Sequence, residues 1–151
     1  MWERWDGIRP DSSFEDPGMN SFNHYAFGAV GDWMYQNIGG IDIDPAAPGY
    51  RRSRIAPCPG GGGLTSASAT LETGYGTLSS TWRLESGRLT LEVTVPANTS
   101  AEVTLWDARL DQVREGGVAL NSRDGVRAAR QHGNDVVVDV GSGRYSFAVG
   151  P

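Results

Sequence analysis

The residues best suited to chemistry stand near the start of the chain, in Trp2-Glu3-Arg4-Trp5-Asp6 and in Asn20-Ser21-Phe22-Asn23-His24-Tyr25-Ala26. A glutamate is a proton acceptor, and the indoles beside it are flat apolar faces on which a sugar ring can stack. The commoner reason for such a string is a surface carboxylate next to a core tryptophan, because functional carboxylates are a small minority. The residue types alone leave both readings open.

Other constellations are weaker. His24 and His132 are the only histidines, too isolated to suggest a metal site without cysteine partners. A Ser12, His24 and Asp6 triad can be written down, but triads are recognised by geometry and nothing in the spacing favours this one. Gly60 to Gly63 lack the Lys-Ser/Thr and the following helix of a phosphate loop, so a flexible connection is the better reading. No cofactor is implied. The sequon Asn98-Thr99-Ser100 falls in a strand-joining turn and carries no weight.

The elements that must position these residues follow from pattern. Residues 1–19 are rich in Gly, Pro, Asp and Ser and read as a long irregular connection, unusual unless functional. From Asn20 or Ser21 to Asn37 the pattern turns helical, with Phe22, Ala26, Ala29, Val30, Trp33 and Met34 on one stripe and His24, Gly28, Gly31 and Tyr35 on another face. Two glycines inside a helix suggest close approach by another backbone, so this helix wants neighbouring helices.

After the stiff link Asp44-Pro45-Ala46-Ala47-Pro48-Gly49 the chain becomes strand-like to its end. Leu89, Leu91, Val93 and Val95 alternate without a break. Eight or nine short strands are expected, in a mainly β fold: an antiparallel, jelly-roll-like β-sandwich. The division falls between residues 1–44 and 45–151. Trp82 and Trp106 are expected in the core, and Arg51, Arg52 and Arg54 on an edge strand that they guard against sheet-to-sheet pairing.

The 151 residues suit one ordinary domain, or one domain plus part of another. A net charge of −5 without runs of either sign offers no basic face for nucleic acid or an anionic membrane. Cys58, the only cysteine, excludes an intrachain disulfide and is expected as a small buried hydrophobe or a loop thiol. No segment approaches the roughly 18 apolar residues of a membrane span, and no signal peptide is visible. A soluble protein is expected, the cytoplasm slightly favoured over secretion.

On these residues the chain resembles the C-terminal end of bacterial α-L-rhamnosidases of glycoside hydrolase family 78. The resemblance rests on the Trp2–Asp6 string, Ser21 to Val30, Ala46-Ala47-Pro48-Gly49-Tyr50, Gly61-Gly62-Gly63-Leu64-Thr65 and Leu89 to Pro96. It implies that residues 1–44 are the last loop and helix of an (α/α)6 barrel of helical hairpins, followed by a β-sandwich. It implies that Glu3 is the general base of an inverting hydrolysis, that His24 contacts the hydroxyls of a terminal L-rhamnose, and that Trp2 or Trp5 lines the pocket. The family's general acid lies on barrel segments outside these residues, and Asp6, Asp11, Glu15 and Asp16 match no acid motif. The chain alone is therefore expected to be inactive, its Glu3 exposed, and its apolar helix face covered by the rest of the barrel or by self-association. The alternative is a non-catalytic β-sandwich module with a structural or carbohydrate-binding role.

Overall fold

The computed structural model describes residues 2–19, 21–120 and 125–150. Asn20, one of two expected first residues of the helix, lies outside the described residues. The chain forms two compact units that meet in sequence between Met34 and Tyr35.

Helical backbone begins at Tyr25 with one 3-10 turn (Tyr25–Gly28), continues as α1 (Ala29–Trp33) and ends in a π-helical turn (Met34–Ile38). It does not start at Ser21, because the Ser21 carbonyl accepts the Glu3 N–H at 2.7 Å and its own N–H is bound by the Glu3 carboxylate. No residue of α1 is buried, and Val30, Trp33 and Met34 are 54%, 54% and 49% exposed. At Gly28 and Gly31 no described atom lies within 4 Å of where a Cβ would stand, so the expected close approach is not made within this chain.

In the second unit the last carbonyls of the helical run, which have no partners within a helix, are satisfied by the sandwich. Ile38 O accepts the Trp82 indole N–H at 2.7 Å and Asn37 O accepts the Cys58 N–H at 3.0 Å. The Tyr35 hydroxyl donates to Thr70 O at 3.1 Å. Gly40, at φ 75°, turns the chain into the first strand where a Cβ would collide with the Pro57 backbone.

Among the described residues eleven strands follow: β1 (Ile41–Ile43), β2 (Arg52–Ile55), β3 (Ser66–Thr73), β4 (Gly76–Glu85), β5 (Arg88–Val95), β6 (Ser100–Leu105), β7 (Arg114–Glu115), β8 (Val118–Ala119), β9 (Val126–His132), β10 (Asp135–Val140) and β11 (Gly143–Val149). They form a mainly β fold of two sheets, one ordered β1-β2-β6-β10-β9 and the other β3-β4-β5-β11-β7-β8. All pairings are antiparallel except β2 with β6. The two strands beyond expectation, β1 and β7, are three and two residues long, too short to show a period.

Alternation buries Leu89, Leu91, Val93 and Val95 of one sheet against Val103, Leu105, Val136, Val138 and Val140 of the other. Trp82 is completely buried, but Trp106, just past the end of β6, is 42% exposed, contrary to expectation. Cys58 is an exposed loop thiol. The arginine strand also departs from expectation: β2 is interior, between β1 and β6, so its arginines guard no edge. Arg52 instead reaches Asp139 at 2.8 Å, Glu102 at 3.1 Å and Asp44 at 3.2 Å, while Arg130 reaches the same Asp139 and Glu102.

Candidate functional site

Residues 2–24 hold the chemistry in the first unit. The Trp2–Asp6 string is positioned by a tight antiparallel turn. Ile8 bridges Phe14, Arg9 N–H donates to Ser13 O at 2.8 Å, and Glu15 N–H to Gly7 O at 3.2 Å. The turn is closed by Asp11, whose carboxylate accepts the Ser13 N–H at 3.0 Å and its hydroxyl at 2.6 Å. A second local turn has Asp16 accepting the Gly18 N–H at 2.8 Å. Phe22 packs under the string, edge-on to Trp2 with ring centroids 4.8 Å apart and 6.0 Å from Phe14.

Glu3 and His24 are brought together. One Glu3 oxygen accepts the Ser21 N–H at 3.2 Å and the other lies 3.8 Å from His24 Nε2. Both side chains are only about a quarter exposed, 27% and 28%, so Glu3 is far less open than its place near the first residue suggested. His24 stacks on Tyr25, centroids 5.6 Å apart and planes 7° from parallel. The tryptophans do not sandwich the carboxylate: Trp2 is turned to Phe22 and Trp5 is 85% exposed. Ser12, the third member of the hypothetical triad, is spent at the tight turn with a φ of 68°.

The remaining carboxylates of the loop are engaged elsewhere. Asp6 is bound by Arg4 at 2.8 and 3.1 Å, and this hydrogen-bonded ion pair holds its carboxyl below the usual range. Hydrogen bonds from Ser13 hold the Asp11 carboxyl low as well. Glu15 lies 3.1 Å from Arg4 and 3.8 Å from Arg9. A group that must deliver a proton near neutral pH needs its affinity raised, the reverse of Asp6 and Asp11. The arrangement therefore offers a held proton acceptor, Glu3, beside an imidazole that can donate or accept hydrogen bonds.

The chain matches two family models in succession: the bacterial alpha-L-rhamnosidase 6 hairpin glycosidase domain over residues 1–38, and the bacterial alpha-L-rhamnosidase C-terminal domain over residues 40–119. The chain belongs to the bacterial α-L-rhamnosidase family. An α-L-rhamnosidase of Streptomyces avermitilis is 45% identical over 150 residues, 99% of this chain and 13% of that protein. One from Formosa agariphila is 37% identical over 147 residues, 97% of this chain and 16% of its own length. This chain thus spans well under a fifth of these relatives.

Solved rhamnosidases share the fold. The Streptomyces avermitilis enzyme complexed with L-rhamnose superimposes with a TM-score of 0.77 at 43% identity, over 99% of this chain and 14% of that one. The Dictyoglumus thermophilum enzyme gives 0.77 at 30% identity, over 100% and 16%.

Two parts of this arrangement are invisible to residue-type reasoning. Ser21 acts through its backbone N–H, which any residue but proline would supply. The Arg4–Glu15 contact depends on the turn that brings residue 15 back to residue 4, although the opposite charges were there to be read.

Proposed function

We propose that this chain carries the general-base half of an inverting α-L-rhamnosidase site. Glu3 takes the proton of the attacking water, His24 orients the hydroxyls of a terminal L-rhamnose, and Trp2 and Trp5 offer apolar faces to its methyl and C–H surface. The observation that carries the proposal is the Glu3–His24 pair, 3.8 Å apart across a twenty-residue loop, with the carboxylate anchored by the Ser21 amide. The L-rhamnose complex of the Streptomyces avermitilis relative supports the choice of sugar.

Inversion needs a second carboxyl roughly 6.5–9.5 Å from the base to protonate the leaving oxygen. Asp6, Asp11, Glu15 and Asp16 are each tied to a neighbour, and none suits that role. The acid then comes from other segments of the six-hairpin domain, and the chain alone is inactive. Those segments also supply the cover for Val30, Trp33 and Met34. In that reaction the sandwich has a supporting part, its fully buried Trp82 holding the end of the helical run.

An aryl α-L-rhamnoside tests this. The chain by itself should release no aglycone. Joined to the upstream six-hairpin segments of a relative it should gain activity. Glu3→Gln should then lower kcat by about 10²–10⁴-fold, while His24→Ala should act mainly on KM. Turnover by the isolated chain that vanishes with Glu3→Gln would refute the half-site, and full activity of the joined Glu3→Gln enzyme would refute the base.

A further inference from the structure

A cleft of about 780 Å³ opens where β8, at the edge of one sheet, meets β9, at the edge of the other. Its volume is that of a small-molecule site. The floor is the margin of the hydrophobic core: Leu120 is 4% exposed, and Val126 and Ala129 pack on the same core. The rim is cationic, with Arg109, Arg114 and Arg127 against a single carboxylate, Asp111.

Several arginines elsewhere in the protein are neutralised by carboxylates. Arg52 and Arg130 are neutralised by Asp44, Glu102 and Asp139, and Arg4 by Asp6 and Glu15. At the cleft only Arg109 is paired, to Asp111 at 3.4 Å. Arg114 is fixed by donating Nη1 to the carbonyls of Asp111 at 2.7 Å and Val113 at 3.0 Å, bonds that orient the guanidinium without cancelling its charge. Arg127 lies over Gly141, where a Cβ would stand 3.3 Å from its Nη2. Neither Arg114 nor Arg127 has a carboxylate partner among the described residues. Two guanidinium groups without a carboxylate partner among the described residues, over an aliphatic floor in a chain of net charge −5, suit an anion with an apolar body.

We propose that this cleft binds an organic carboxylate carrying an aromatic or hydrocarbon body, its charge met by Arg114 and Arg127 and its body laid on Leu120, Val126 and Ala129. The floor has alkyl side chains and no aromatic platform, so a hydroxyl-rich acidic sugar fits less well than an aryl acid. The site is independent of the rhamnosidase reading, since it lies wholly within the sandwich.

The test uses trans-cinnamate on the intact chain, followed by calorimetry and by the methyl resonances of Leu120 and Val126. Saturable binding at about millimolar concentration or below is expected, with cinnamamide and glucuronate each at least tenfold weaker. Arg127→Gln and Arg114→Gln should each weaken cinnamate by about tenfold, whereas Arg83→Gln, away from the cleft, should change nothing. Thermal melts of each variant show whether the fold is kept. Equal affinity for cinnamate and cinnamamide, tighter binding of glucuronate, or unchanged affinity in folded Arg114 and Arg127 variants would each overturn the proposal.

Discussion

Replacing Trp82 by phenylalanine separates what the sandwich core needs from what the end of the helical run needs. The side chain is fully buried and its indole N–H is donated to Ile38 O at 2.7 Å. Phenylalanine keeps most of the apolar contact but removes the donor, leaving a carbonyl at a helix end without its partner. Leaving a part-buried acceptor without its hydrogen bond costs about 1–3 kcal/mol. The missing ring adds a void of roughly 40 Å³ at about 24 cal/mol per Å³, close to 1 kcal/mol more. The expected loss is therefore about 2–4 kcal/mol, a large share of the stability of a domain this size. Urea unfolding followed by far-UV and near-UV circular dichroism measures it, with hydrogen exchange over residues 35–40 as the local readout. A loss of about 1 kcal/mol or less with unchanged exchange would refute the claim that this bond fastens the end of the helical run, because volume alone would then explain Trp82.

Gly40→Ala should be severe: the residue sits at φ 75° and its new methyl would overlap the Pro57 backbone, so a loss of about 3 kcal/mol or failure to fold is expected in the same unfolding assay. At high pH Tyr145 is the group to watch. Burial, chiefly, holds its phenol above the ordinary tyrosine range, and its hydroxyl donates to Gly141 O at 3.1 Å. The neutral form is favoured in the folded state, so the unfolded chain loses its proton first, at about pH 10. Its contribution to stability should be constant below that point and fall as pH rises from there through the folded value, so that the decline is less steep in Tyr145→Phe. Denaturant midpoints measured from pH 8 to 11 check the slope; a parallel decline in the variant would assign it to other groups.

Much of this molecule follows from local pattern. The alternation Leu89, Leu91, Val93, Val95 determines strand β5 and the face it buries, because a period of two places every second side chain on one side of a sheet. The turns at Asp11-Ser12-Ser13 and Asp16-Pro17-Gly18 are equally local, each closed by an aspartate carboxylate accepting the N–H two residues on. The string around Glu3 and the Ser21-to-Val30 segment already pointed to the family, since side-chain identity at fixed spacing survives where the contacts themselves are unseen.

Tertiary structure decided what depends on distant partners. Whether β2 is an edge or an interior strand rests on β1, three residues too short to show a period, and that choice turned Arg52 from an edge guard into the hub of an ion-pair network with Glu102 and Asp139. The start of the helical run at Tyr25 was set by competition for the Ser21 backbone, which pairs with Glu3. The meeting of Glu3 with His24 has the same origin. Residue types nominate a carboxylate and an imidazole, but only the fold of the loop between them, through backbone hydrogen bonds that carry no sequence signature, brings the two within 3.8 Å.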